Sequence, residues 1–373
     1  MKYRSLVVGG GINGLCTAWQ LCRGGWGPVG LVEQFTPGHR RGSSHGSTRI
    51  TRSTYADATY VRLMQEAHQR AWPSLEAEVG QQLIHPGDGI FWGPPDGPIS
   101  AYKEAVLEVG APVETLSPSQ ARQKFPAFRF PDAKEVLWDR SGGVVAAGQA
   151  IAALWALLQR WGVGLHLGEK IVEIQHDPLS VRTESGVIEA EGLVVCAGPW
   201  APTLLPGLGM SLVPALQTVG YWQPAGIRLE HPHFPVWVHI GRDQVHYGLP
   251  AFPGQPGIKA AFHGTSERGD DPDQPTAPQA DRLAMAQNFL ETQLSVSPGP
   301  RMGEENCWYT NTPTEDYILS PHPRDPRIVI GAGFSGHGFK MGPLTGRILA
   351  ELLWKGESSV DAFTRDRARF RVR

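Results

Sequence analysis

The sequence predicts a mixed α/β protein of two domains, one built on a βαβ nucleotide-binding unit and one on an antiparallel sheet. Three observations carry this expectation. The spacing Gly9-x-Gly11-x-x-Gly14 sits between a short apolar run and an amphipathic helix. The middle of the chain is rich in short alternating strands separated by Gly- and Pro-containing turns. At 373 residues, the chain is longer than one hydrophobic core usually supports. A ligand at the boundary between two such domains is then expected.

Ser5-Leu6-Val7-Val8 reads as a buried strand, and apolar residues at Leu15, Ala18, Trp19 and Cys22 give the helix that follows. Gly30-Leu31-Val32-Glu33 supplies the second strand of a Rossmann-like unit of roughly 30 residues. In that context the glycines have separate uses. Gly9 permits the tight turn, Gly11 lets the backbone approach a pyrophosphate, and Gly14 lets helix and strand pack closely. The helix N-terminus offers free N–H groups and partial positive charge to the phosphates. Glu33, at the end of the second strand, is placed to accept both ribose hydroxyls, and its charge disfavours a 2′-phosphate. Both NAD and FAD satisfy these features.

A Gly/Ser/Arg/His-rich loop follows over residues 38–52, then a helical pattern from Tyr60 to Val79. Short strands and helices with frequent Pro, from Leu83 to Arg140, mark an excursion into the second domain. The segment from Gly142 to Val145, a helix from Gln149 to Trp161 and strands at Gly164–Leu167, Ile171–Ile174 and Leu193–Ala197 return to the nucleotide fold. Strand-rich sequence resumes from Val213 to Gly248 and includes Val236–Ile240 and Gln244–Tyr247 around a Gly-Arg-Asp turn. An acidic loop from Gly264 to Pro275, a helix from Gln279 to Leu294, a buried strand at Arg327–Ile330 and a closing helix from Lys340 to Lys355 complete the pattern. The tail from Arg365 to Arg373, with Arg at every second position, reads as an exposed edge segment or frayed terminus.

Composition narrows the function. A net charge of -2 gives no reason to expect a nucleic-acid or membrane-surface partner, so a small molecule is the expected target. No apolar run approaches the roughly 20 residues that span a bilayer, and the start leads into a strand rather than a signal segment, which reads as cytoplasmic. Cys16, Cys22, Cys196 and Cys307 show neither a disulfide framework nor a CxxC metal pair, so reduced thiols and no metal site are expected.

Three further segments are unusual. Arg49 and Arg52 lie three apart in a loop with His45 and several hydroxyls, which suits neutralising an anion or lying flat on a ring system. Strand alternation puts Lys259, Ala261 and His263 on one face. Spacing does not separate a pocket-lining pair there from a solvated lysine and a surface histidine. Cys307, between Asn306 and Trp308, reads equally as an inert buried thiol, a nucleophile or a covalent attachment point.

The ordered blocks GGGINGL, GSSHGSTRITR, Cys196-Ala197-Gly198-Pro199-Trp200, GIKAAFH, NCWYTNTP with Asp316, and GFSGHGFK span almost the whole chain. Together they resemble the monomeric sarcosine oxidase and N-methyltryptophan oxidase family of flavoproteins, in the D-amino-acid-oxidase-like group. The resemblance implies FAD, an FAD-binding domain from residues 1–82, 142–212 and 314–373, and a substrate domain from 83–141 and 213–313. It implies that Gly9, Gly11, Ile12, Asn13 and Gly14 hold the cofactor with Glu33 and Gln34. Ser44, His45 and Arg49, then Val172, then Ala197, Gly198 and Trp200 extend that shell. Gly333, Gly336, His337, Gly338 and Lys340 close it, and Cys307 is the implied covalent attachment to the flavin 8α-methyl group.

By the same resemblance, Arg52 and Lys340 match a pair that holds the substrate carboxylate. Tyr247 and Tyr309, with Val238, match the pocket wall, and His263 a histidine beside the amine. Lys259 matches a lysine over the flavin that assists reaction with O2, while Arg49 and His45 pack on its other side. The implied enzyme is a monomeric oxidase of secondary or N-methyl amino acids that yields an imine and hydrogen peroxide. Val236-Trp237-Val238-His239, Trp308 and Met341-Gly342-Pro343 differ from sarcosine-type residues. Cyclic imino acids of the pipecolate or proline kind, larger amines, or a flavin amine dehydrogenase with another electron acceptor therefore remain alternatives.

Overall fold

The computed structural model describes residues 2–209, 211–264, 270–274 and 276–372, so the acidic loop expected from Gly264 to Pro275 lies partly outside the described residues. Lys2–Val8 is the central strand of the first sheet, and its Leu6, Val7 and Val8 are buried. Parallel neighbours flank it, Val29–Glu33 on one side and Val187–Val195 on the other. Gly164–Leu167 and Asp325–Ala332 extend the parallel set outward. Antiparallel strands Leu179–Thr183, Ile171–His176 and Ile318–His322 complete eight strands. Near-continuous apolar runs are what burial on both faces demands of parallel strands. The register pairs Val8 with Val32 and with Val195, so the carboxyl ends of three strands meet at Gly9, Glu33 and Cys196. In such sheets the ligand crevice lies outside those ends.

Helix Ile12–Arg23 packs against helix Gly342–Lys355. Their approach is close enough that a Cβ on Gly346 would sit 2.5 Å from the Cys16 carbonyl carbon, and one on Gly342 2.5 Å from Ile12 Cγ1. Cys16 is thereby fully buried, a packing residue.

The second sheet also has eight strands, in the order Arg301–Asn311, Val213–Trp222, Ile258–His263, Val245–Leu249, Val236–Ile240, Gly89–Trp92, Val136–Asp139 and Val113–Leu116. It is antiparallel except where Val236–Ile240 runs parallel to Gly89–Trp92, the seam between the early and late strand groups. Helix Ala280–Gln293 covers one face, with Phe289 stacked on Trp237 at 5.2 Å and on His246 at 4.4 Å. One register row of the opposite face runs Val238, Tyr247, Ala261, Val219 and Glu305. A small third sheet joins Arg49–Thr51, Gly143–Val145 and Ile84–Pro86. The early part of the expected excursion from Leu83 thus pairs here rather than in the large sheet.

The tail departs from its expected frayed state. It forms a helical turn at Asp361–Arg365 and a 3-10 turn at Arg367–Phe370. Arg369 pairs with Asp57 at 2.8 Å and Asp316 at 2.7 Å, and Phe370 is fully buried against Phe363 and Tyr60. Arg369 and Phe370 are both anchored, whereas Ala368 and Arg371 are exposed. Phe370→Ala should cost about 3–5 kcal/mol through the cavity it leaves, read as a lowered thermal midpoint; an unchanged midpoint would mean the tail is not anchored in solution.

Candidate active site

The three strand ends open into a cavity of about 660 Å³ that continues to the face of the second sheet. Its nucleotide end follows from the glycines. Gly9 has φ +102, in the region that favours glycine, and a Cβ there would lie 2.3 Å from the Cys196 carbonyl oxygen. A Cβ at Gly14 would lie 1.9 Å from the Gly9 oxygen, so Gly14 sets helix-to-strand spacing and stays outside the cavity wall. The Ile12 N–H, at the start of the helix, donates to Ser44 Oγ at 3.0 Å. The buried Glu33 accepts from the Gly10 N–H at 2.6 Å and the Phe35 N–H at 2.9 Å. Each carboxylate oxygen keeps lone-pair capacity for a further donor.

Midway, basic groups gather. The Arg49 guanidinium donates to the carbonyls of Ser43, His45 and Thr48 at 2.7–2.8 Å, which fixes its plane. Lys259 Nζ lies 3.5 Å from Glu305 Oε1. Burial, then Arg49, brings the Lys259 pKa down to about 8, with Glu305 opposing. Burial, then Arg49, likewise lowers His45 to about 4. Neither His45 ring nitrogen has a hydrogen-bond partner among the described residues, although the side chain is buried. Cys307 opens into the cavity beside these groups; burial raises its pKa, while Arg49 and Lys259 oppose the rise.

At the far end, two cations converge on one phenol. The Arg52 guanidinium sits 4.3 Å above the Tyr55 ring and donates to the Thr54 carbonyl. Lys340 Nζ donates to Tyr55 Oη at 3.3 Å and to the His337 carbonyl at 3.2 Å. The Lys340 carbonyl is held in turn by Trp72 Nε1–H at 2.6 Å, just after a π-helical turn at Ala67–Ala71. Burial, then Arg52 and Arg49, holds the Lys340 ammonium well below its usual pKa. His263 Nδ1 lies 3.2 Å from the Tyr309 hydroxyl, and burial with Arg52 and Lys340 nearby lowers its pKa to about 4. Gly336, at φ +77, leaves room for Tyr309, since a Cβ there would meet that ring at 2.5 Å.

A family model described as FAD dependent oxidoreductase matches residues 4–352. The chain is 37% identical to the peroxisomal sarcosine oxidase of Homo sapiens, over 96% of this chain and 93% of that one. This chain belongs to the FAD-dependent oxidoreductase family. It is also 31% identical to the monomeric sarcosine oxidase of Streptomyces avermitilis, over 96% and 95% of the two chains. Among solved structures, NikD, an amino acid oxidase essential for nikkomycin biosynthesis, shares the fold with a TM-score of 0.84 at 24% identity, covering 100% and 98% of the chains.

The residues of this oxidoreductase fit FAD. The glycine turn and Glu33 suit the adenosine and pyrophosphate end, and the partnerless His45 nitrogens sit where a polar ring system would supply acceptors or donors. Except for Gly14, each residue given a cofactor, substrate or catalytic role from the sequence lines this one cavity, including Val172, Trp200, Val238 and Tyr247; of the residues that differ from the sarcosine type, Val238 and Trp308 line it. Among the described residues no cluster of His, Cys, Asp or Glu is placed to hold a metal, and no helix is long and apolar enough to cross a membrane.

Sequence reasoning missed Glu305 and Tyr55. Glu305 lies two residues before Cys307 on the same strand face, so alternation alone was the available signal. Tyr55 lies three residues after Arg52 in an irregular segment with no periodicity to mark it.

An anion seated between Arg52 and Lys340 would draw a proton onto Nζ. Below the free-state pKa of Lys340 the cation is already present and binding is insensitive to pH. Above it, carboxylate binding should weaken by up to about tenfold per pH unit. Titrating the holoenzyme with acetate, followed by flavin absorbance, should show this slope, and Lys340→Met should flatten it; a wild-type profile as flat as the variant's would refute it.

Proposed function

We propose that this oxidoreductase is an oxidase of secondary or N-methyl amino acids that forms an imine and passes the electrons to O2. The observation that carries this reading is the pairing of two basic side chains, the half-buried Arg52 and the buried Lys340, with an uncharged histidine, His263, across one pocket. A carboxylate and a neutral amine on one small molecule complement that arrangement. Bound FAD supplies the acceptor for a hydride from the carbon next to nitrogen. Arg52 and Lys340 clamp the carboxylate, each charged hydrogen bond contributing roughly 1.5–3 kcal/mol. That clamp orients the reacting C–H, and orientation is the larger part of the task. His263 stays neutral beside the amine and favours its unprotonated form, while Tyr247, Tyr309 and Val238 wall the pocket. The imine then hydrolyses in water.

Midway along the cavity, Lys259 offers a cation to the negative charge that develops on oxygen as two electrons and two protons convert it to peroxide, and Arg49 and His45 are its neighbours rather than lying across from it. A cyclic imino acid such as pipecolate would use the same clamp, and the apolar Val238 and Trp308 walls favour it as a second substrate class. The enzyme in this reading works as a cytoplasmic monomer. Residues 1–82, 142–212 and 314–373 form its FAD-binding domain, and 83–141 with 213–313 its substrate domain; the segregation of strands between two sheets supports that division. Adding N-methyl amino acids, imino acids or simple amines to flavin-loaded protein should release peroxide with at least one carboxylate-bearing amine. Silence across the panel, or electron transfer only to an artificial acceptor, would sink the oxidase reading.

Covalent attachment at Cys307 belongs to the same proposal. Cys307 would hold the flavin through a thioether to its 8α-methyl carbon, an oxidative attachment in which thiol and methyl would each give up a proton and O2 would accept the two electrons. Cys307 suits this because it opens into the cavity near Arg49 and Lys259, whereas Cys16 is packed away. Acid-precipitated wild-type protein should stay yellow and Cys307→Ala should release its flavin; a colourless wild-type pellet would rule the bond out.

A further inference from the structure

Among the described residues Glu305 is the one carboxylate that faces the basic groups midway along the cavity, and its contacts are specific. Oε1 accepts a short hydrogen bond from the Tyr221 hydroxyl and lies 3.5 Å from Lys259 Nζ. Oε2 lies 3.8 Å from His45 Nδ1. The Lys259 side chain is 6% exposed, and among the described residues Glu305 is its ion-pair partner. A buried ammonium without a counter-charge sheds its proton rather than bear the desolvation cost.

We propose that Glu305 is a positioning residue for the oxygen half-reaction, holding Lys259 in place and in its charged form, and that Tyr221 tempers its hold. The proposal rests on the reading of Lys259 as the cation presented to oxygen. The groups facing Lys259 are Glu305 and Cys307 from strand Arg301–Asn311, Arg49 from strand Arg49–Thr51, His45 from the polar loop, and Tyr221 from strand Val213–Trp222. The neighbouring strand presents the apolar Leu249. Desolvation by burial, then Arg49, acts against the Lys259 charge, and Glu305 is the strongest group acting for it. Burial alone would push the Glu305 carboxyl up, but Lys259, the Tyr221 hydroxyl, His45 and Arg49 more than offset this, so Glu305 stays ionised.

The sign follows. Removing the Glu305 charge makes Lys259 easier to deprotonate, so its titration moves to lower pH. Removing the Tyr221 hydroxyl frees the carboxylate from a competing donor, so the Lys259 titration moves to higher pH. A residue with a merely structural role would not produce opposite shifts from its two contacts.

The test uses substrate-free holoenzyme under anaerobic conditions, with flavin absorbance followed from about pH 6 to 10 around the normal range of a perturbed lysine. Lys259→Met identifies which titration belongs to Lys259. Glu305→Gln should shift that midpoint down by about one unit or more, the scale of one lost close ion pair, and Tyr221→Phe should shift it up. Stopped-flow reoxidation by O2 should follow the same midpoints. An unmoved midpoint in Glu305→Gln, shifts of the same sign in both variants, or a titration that survives in Lys259→Met overturns the proposal. If Glu305→Gln does not fold, the upward shift in Tyr221→Phe decides alone. Should Lys259→Met abolish the titration yet reoxidise like wild type, the oxygen-side reading of Lys259 fails, while the absorbance midpoints still judge the Glu305 coupling.

Discussion

Crowding of positive charge is the constraint on which the site depends. Arg49, Arg52, Lys259 and Lys340 all line one cavity between two sheets. Water would screen such a cluster, and carboxylates would neutralise it; the fold does little of either. Instead, backbone carbonyls of residues 43, 45, 48, 54 and 337 take up the N–H donors. Dipoles of this kind satisfy hydrogen bonding without cancelling net charge, which leaves the cations available to whatever anion arrives. Burial is the main cause of the neutral histidines, and the same field adds to it, since His45, His263 and His337 are each made harder to protonate by burial and then by neighbouring cations.

Holding that cluster demands two rigid walls. The parallel sheet fixes its strand ends through register, and the second sheet fixes its inner face through a row that crosses five strands. The polar loop that carries His45 and Arg49 runs directly into strand Arg49–Thr51, paired with Gly143–Val145, so the segment is anchored where its charges are used. The glycine-bearing surface of helix Gly342–Lys355 packs on Ile12 and Cys16, which brings Gly342 against the first turn of the nucleotide-binding helix.

Much of this was legible in the sequence because it is local. The glycine turn has a fixed spacing, the strand-helix-strand context is contiguous, and Lys259 with His263 share a face by simple alternation. The pairing of Arg52 with Lys340 came only from resemblance, since nothing in the 287 intervening positions encodes their meeting at Tyr55. Glu305 was hidden for a different reason. Its neighbours Lys259 and Tyr221 lie on other strands, and cross-strand contacts depend on register, which a single sequence specifies only weakly. The tail was misread because alternating Arg and apolar residues fit an exposed edge as well as an anchored turn; the partners that decide it, Asp57 and Asp316, are remote in the chain.

The path of the chain has one more consequence. The cavity takes walls from residues 8–57 and again from residues 333–340 and Arg369, so its two ends are contributed by segments made far apart in time during synthesis. Contacts of such long sequence separation form late in folding. A nascent or truncated chain that already has its glycine turn still lacks Lys340 and the pocket around it. Cofactor capture without that pocket would leave the bound group open to water at that end of the cavity. Dividing the site between the beginning and the end of the chain makes reactivity conditional on a finished molecule.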